Sequence, residues 1–137
     1  MTDSIILEAL PYDLTVCKIE STAQVNLKSD FFFLEKTDEE LSLVCKTIET
    51  PALTLAREDG WRGLRITGVL DFSLIGILSR LTTVLASAHI GVFAVSTYNT
   101  DYILIKSGDF ERAVEALTRA GYAFPGNACA SKAIPDD

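Results

Sequence analysis

This 137-residue sequence is poor in the side chains that most chemistry needs: it holds one histidine, one methionine and one tryptophan. The lone His89 sits where a helical pattern breaks, so no Ser-His-Asp or Cys-His set can be assembled around it, and it reads as structural. Cys17, Cys45 and Cys129 are odd in number and lack CxxC spacing. That argues against a disulfide framework or a zinc site and suits free thiols in a reducing cytoplasm. There is no metal-ligand cluster and no phosphate-binding glycine loop, so neither a metal nor a cofactor is expected. Glu39 and Glu40 are adjacent and would point to opposite faces of a strand, a poor arrangement for paired acid/base work. No apolar run approaches the ~20 residues of a spanning helix, so no membrane partner is expected. The opening MTDSIILEALPYD lacks the basic start of a secretory signal. Basic residues are outnumbered 12 to 19, giving a net charge of −7, and they are scattered, which disfavours a nucleic-acid partner. These absences point away from an enzyme.

What the chain does have is apolar residues, at 48%, enough for one domain or two very small ones sharing a core. Residues 14–19 alternate as a strand does, and 21–30 has no clear period and reads as loop. Segments 31–36 and 41–46 flank Thr37-Asp38-Glu39-Glu40 as a hairpin. Thr50-Pro51 suits a helix start, which predicts a short helix over 52–59 ending at a left-handed Gly60. Trp61 opens the second half, where it suits a core or interface anchor more than a ligand platform. Leu64, Ile66, Gly68 and Leu70 then share a strand face, and Asp71-Phe72-Ser73 makes a tight turn. A helix over 73–88 follows, with Leu74, Ile77, Leu78, Leu81, Val84, Leu85 and Ala88 in one stripe, and it stops at His89-Ile90-Gly91. A hairpin over 92–106 turns at Asn99-Thr100, and a second helix runs from Asp109, a suitable cap, to Gly121. Residues 122–124 can add a closing strand, and 125–137 reads as a tail.

That order is βαββαβ, the ferredoxin-like plan of the α+β class. Segments 92–95 and 102–105 are apolar on both faces, so a cover is expected on the side away from the helices. The first half is the expected cover, because the chain repeats. At a shift of 61 positions Phe93 falls on Phe32, Leu104 on Leu43, Ala113 on Ala52 and Gly121 on Gly60. The match fails where the helix after Ser73 falls on 14–19, which makes 1–61 a degenerate unit beside a fuller one at 62–124.

Two polar clusters interrupt the second unit: the turn at Asp71 and the hairpin tip from Ser96 to Asp101. The unpaired N–H groups at a helix start suit a carboxylate, Asp71 and Asp101 suit an ammonium, and Gly76 permits close approach. Ser96, Thr97 and Thr100 add hydroxyls. Each also has a plainer reading. Asp71 or Ser73 suits an N-cap, Asn99-Thr100 a hairpin turn, and Gly76 close helix packing.

Three blocks, TDEELSLVC (37–45), GVLDFSLIGIL (68–78) and STYNTDYILIK (96–106), together with Gly60-Trp61 and Gly121-Tyr122, resemble the ACT domain family over about 14–124. The likeness is to small bacterial-type proteins of two tandem ACT-like units, and more distantly to the cytosolic arginine sensor of the animal TOR pathway. Asn99 departs from the acid that many members carry there and removes a charge near the site. The resemblance implies an amino-acid-binding regulatory protein, a homodimer acting on an effector protein. By the same resemblance the ligand contacts Asp71, Phe72, Ser73, Leu74, Ile75 and Gly76 from the turn. Ser96, Thr97, Tyr98, Thr100 and Asp101 would reach it from the hairpin, with Ser42 and Leu43 on a far wall. The rival reading is an interaction or adaptor module with no small ligand. The two part on whether the polar clusters line a concave pocket.

Overall fold

The computed structural model describes residues 5–68 and 76–125. Its strands are β1 (Ile5–Ala9), β2 (Leu14–Lys18), β3 (Phe32–Lys36), β4 (Leu41–Lys46), β5 (Ala56–Gly68), β6 (Phe93–Ser96) and β7 (Asp101–Lys106). Its helices are α1 (Ile77–Ser87) and α2 (Phe110–Arg119). Residues 1–11 and 62–137 form one unit, called here the helical unit, and Tyr12–Trp61 form the other, the strand unit. β5 runs through both.

In the strand unit the order is β3-β4-β2-β5, antiparallel throughout. These are the second, third, first and fourth strands of a ferredoxin-like plan, so the sheet persists while the helices do not. A 3₁₀ turn at Thr22–Gln24, closed by a Ser21–Gln24 capping box, stands between β2 and β3. Another at Thr47–Glu49 follows β4. The helix expected over 52–59 does not form. Ala56 pairs with Lys18 and Arg57 with Cys17, in the first part of β5. Ala-Arg-Glu-Asp favours a helix locally, but Leu53 and Leu55 are two apart and cannot share a helix face, so strand pairing overrides propensity. Gly60 does take a positive φ of 85°, for a different reason from the one expected. Leu14 faces Trp61 and Val16 faces Glu58, so β5 carries one extra residue, and Gly60 is the glycine of that bulge.

In the helical unit β5-α1-β6-β7-α2 follows the split βαβ path, with β7 between β5 and β6. The place beside β5 where a closing strand belongs is taken by β1, paired antiparallel from Ile5 opposite Gly68 to Ala9 opposite Leu64. The expected closing strand at 122–124 is reduced to a parallel bridge between Ala123 and Ile6, on the outer edge of β1. Five residues of β1 satisfy the β5 edge and leave the short run after Gly121 only that outer place. Ile77, Leu81 and Leu85 of α1, with Ala113 and Leu117 of α2, bury their stripes against Leu7, Leu64, Ile66, Ile103 and Ile105. Asp109 stands at the N-cap of α2 but makes no capping bond; its carboxylate accepts from Arg112 at 2.9 Å instead.

Both helices end in the same way. His89 N–H donates to Ala86 O at 2.9 Å and Ile90 N–H to Leu85 O at 2.9 Å; Gly121 N–H donates to Thr118 O at 3.0 Å and Tyr122 N–H to Leu117 O at 3.0 Å. These are paired C-terminal closures that need a left-handed residue, supplied by Gly121 at φ 104° and by His89 at φ 62°. A side chain costs about 1–2 kcal/mol in that conformation, and His89 is exposed. His89→Gly is therefore expected to stabilise the protein by about 1 kcal/mol, read as a rise of a few degrees in Tm.

The repeat is real, but its spacing differs by one residue from the pattern match. β4 and β7 are six residues each and both lead into 3₁₀ turns, so Asp101 falls on Leu41, a shift of 60. The tips agree: Thr37 N–H donates to Glu40 O at 3.0 Å and Thr97 N–H to Thr100 O at 2.8 Å. The return bonds match too, from Glu40 N–H to Thr37 Oγ1 at 3.2 Å and from Thr100 N–H to Thr97 Oγ1 at 3.3 Å. One residue matters in a strand because it exchanges the two faces. At 60, Ile103 and Ile105 fall on Leu43 and Cys45, which are likewise core residues; at 61 they would fall on Ser42 and Val44.

Candidate functional site

Of the turn residues expected to hold a ligand, Asp71, Phe72, Ser73, Leu74 and Ile75 lie outside the described residues. Gly76 is the N-cap of α1, left-handed at φ 88°. The N–H groups of the three residues after it have no partner within the helix, and the first helical bond runs from Arg80 N–H to Gly76 O at 2.8 Å. A Cβ placed on Gly76 would come within 3.6 Å of Arg80 Nη1, which puts that guanidinium beside the helix start. The helical period by itself places Arg80 only off the apolar stripe of α1. What identifies it is its position four residues after a glycine that starts the helix.

The hairpin tip is drawn together by its own hydroxyls. Ser96 Oγ donates to Asp101 Oδ1 at 2.5 Å, and Thr97 Oγ1 to Thr100 O at 3.0 Å. Thr100 Oγ1 donates to the carbonyl of Ile66, which ties the tip to the end of β5 from which the chain proceeds toward α1. The tip and the helix start therefore belong to the same end of the helical unit's sheet. The Ile66 carbonyl is a part that no sequence pattern marks, since every residue carries one. Tyr98 is fully exposed at the tip. Asp101 keeps acceptor capacity beyond its bond to Ser96, as a carboxylate has about four lone-pair sites.

Ser42 and Leu43 lie in β4 of the strand unit. Ser42 stands opposite Lys18 and Glu35. The Leu43 side chain is buried with Cys17, Ile19 and Cys45 and lines a cleft of about 10 Å³ with Asn26, Ser29 and Glu49. That is room for about one water molecule, far below the ~300 Å³ at which ligand pockets usually begin. Burial pushes the Cys17 thiol up to about 11, with Cys45 beside it adding to the shift. Burial raises Cys45 as well, so both stay protonated at neutral pH, where a reactive cysteine needs a thiolate. Among the described residues no three His, Cys, Asp or Glu side chains converge as metal ligands. No helix among them is long and apolar enough to cross a membrane.

Residues 56–119 match the family model of the ACT domain. Among solved structures the chain is similar to the protein Atu0741 of Agobacterium tumefaciens, at 24% identity and TM-score 0.79, covering 99% of this chain and 97% of that one. It is also similar to VC0802 of Vibrio cholerae, described as a possible transport protein, at 20% identity and TM-score 0.67, covering 85% and 89%. The ligand-free regulatory subunit of aspartate kinase from Thermus thermophilus matches at 10% identity and TM-score 0.62, covering 87% and 99%. Likenesses at these identities establish the fold. No curated protein matches the sequence. With the split βαβ path, the recurring hairpin and the family match in place, it is residues 56–119 that form an ACT domain.

Proposed function

We propose that the protein is a regulatory module that binds a free amino acid at the turn and hairpin tip of the helical unit and passes the signal to an effector protein, with no catalytic step. The observation that carries this reading is the Thr100 bond to Ile66, which holds Ser96 and Asp101 at the end of the sheet that leads to α1. In this reading Asp71 and Asp101 accept the ammonium. The N–H groups at the start of α1, which have no partner within the helix, receive the carboxylate with Arg80 beside them. Its fold is shared with the regulatory subunit of an aspartate kinase, which supports regulation over catalysis. The ligand shifts the module's state only by its differential affinity for two arrangements.

The test is thermal unfolding of the full chain against a panel of free amino acids. At tenfold excess over Kd a ligand stabilises by about 1.4 kcal/mol, a shift of several degrees. A selective shift that Asp101→Ala abolishes, while the variant's own Tm stays close to wild type, is the expected result. A flat panel at millimolar concentrations overturns the reading in favour of an adaptor without a small ligand.

A further inference from the structure

Cys17 and Cys45 are buried thiols for which the amino-acid reading has no use. Nothing in their sequence spacing marks them as a pair; the pairing of β2 with β4 makes them one. Cys17 stands opposite Leu43 and Cys45 opposite Thr15, so the two cysteines are diagonal neighbours on one face of the strand unit's sheet. Both are free, and their thiols lie within hydrogen-bonding reach of each other. Arg57 stands opposite Cys17 from β5, on the other side of β2. Its charge acts on both thiols in favour of the thiolate, although burial outweighs it. Thr50 Oγ1 lies 3.6 Å from Cys45 Sγ. The small cleft beside Asn26, Ser29 and Glu49 has Cys45 in its wall, which gives a bare ion a way to the sulfur.

We infer that Cys17 and Cys45 form a two-sulfur site for a soft monovalent metal ion, copper(I). Diagonal neighbours stand about 7–8 Å apart at Cα, beyond the roughly 4.4–6.8 Å that a disulfide spans, so the pair is set too wide for an S–S bond. An ion between the sulfurs closes that gap. Copper(I) is a d¹⁰ ion that accepts two ligands in line, and soft thiolates select it over harder metals. Zinc takes four ligands, and among the described residues no three converge. The step balances as one Cu⁺ and two S–H groups giving a Cu(S)₂ group of charge −1 and two protons released to water. Arg57 offsets that charge. The nearest acids are already engaged, Glu49 by Ser29 and Asp59 by Thr15 and Arg57. Ile19, Leu43 and Val25 wrap the pair in apolar surface, which disfavours a hydrated cation. No amino acid enters this argument, so it stands apart from the proposed function.

The experiment is an anaerobic titration of the full, reduced chain with copper(I) against bicinchoninate as a coloured competitor. One copper per chain is expected, and the same from Cys129→Ala, which removes the third thiol of the sequence. Cys17→Ala and Cys45→Ala should each weaken binding by more than the roughly 100-fold that loss of a supporting partner costs, with an unchanged circular dichroism spectrum. Should either variant not fold, X-ray absorption of the copper-loaded wild-type chain decides, with two sulfur neighbours per copper and no nitrogen expected. The inference is overturned by a wild-type chain that takes up no copper, or by one copper per two chains. Copper retained by a folded Cys17→Ala or Cys45→Ala variant, copper lost from Cys129→Ala, or nitrogen neighbours in the spectrum overturn it as well.

Discussion

Leu81→Ala is expected to lower the stability of the fold by about 3–5 kcal/mol, a large share of what a small domain has. Leu81 is fully buried at the middle of the α1 stripe, between Ile77 and Leu85 and against the apolar faces of β5 and β7. The opposing surface of α2 presents Ala113, itself fully buried. Alanine there lets the helices approach closely, and a backbone already in contact cannot move inward to fill a void. The cost should lie toward the upper end for that reason. Urea unfolding would read it as a lower midpoint at unchanged slope. Leu78→Ala, on the same helix but only partly buried, should cost far less. The effect bears on function, since α1 carries the N–H groups proposed to receive a carboxylate. A loosened α1 should weaken ligand stabilisation as well as the fold.

What could be read from the sequence depended on whether one segment's own pattern decided its structure. The period of Ile77, Leu81 and Leu85 specifies a buried helix face whatever lies opposite, and the β3–β4 and β6–β7 hairpins are marked by polar tips between alternating apolar runs. The segment 52–59 was not legible, because β2 decides its state from 40 residues away while its own residues favour a helix. The place of β1 was not legible for the same reason. Nothing in Ile5–Ala9 announces that it fills the slot of a closing strand. The repeat was visible, but a shift of 61 and one of 60 score alike on apolar content where three consecutive residues of each strand are buried, as in Leu43 to Cys45 and Ile103 to Ile105. Hydrogen bonds at the two threonine tips separate them. For the site, Ser96, Thr97, Thr100 and Asp101 stood out as a polar cluster, and they do gather. Their tie to Ile66 runs through a backbone acceptor and leaves no trace in residue type.

Thr15→Val is expected to cost about 2–3 kcal/mol near neutral pH, although valine matches the shape of threonine. Thr15 is the one fully buried polar residue among those described. Its hydroxyl lies 2.7 Å from Asp59 Oδ1 and 2.8 Å from Thr47 Oγ1. A carboxylate can only accept, so Thr15 gives its proton to Asp59 and takes one from Thr47. The bulge at Gly60 makes this possible, because the extra residue in β5 re-aims Asp59 toward β2. Arg57 Nε also donates to Asp59, at 2.9 Å. Arg57 first and Thr15 second hold the Asp59 carboxyl below its ordinary value of 3.8. A depressed carboxyl contributes stability that is present above its unfolded value and lost as pH falls through the folded one. Valine removes the smaller of the two donors and strands the Thr47 hydroxyl. The urea midpoints of variant and wild type should therefore lie well apart near pH 7 and converge as acid protonates Asp59, when the bond lost is an ordinary neutral one. A gap of the same size in acid and at neutrality would mean that Thr15 is held by Thr47 and packing alone, with no share in the charge on Asp59.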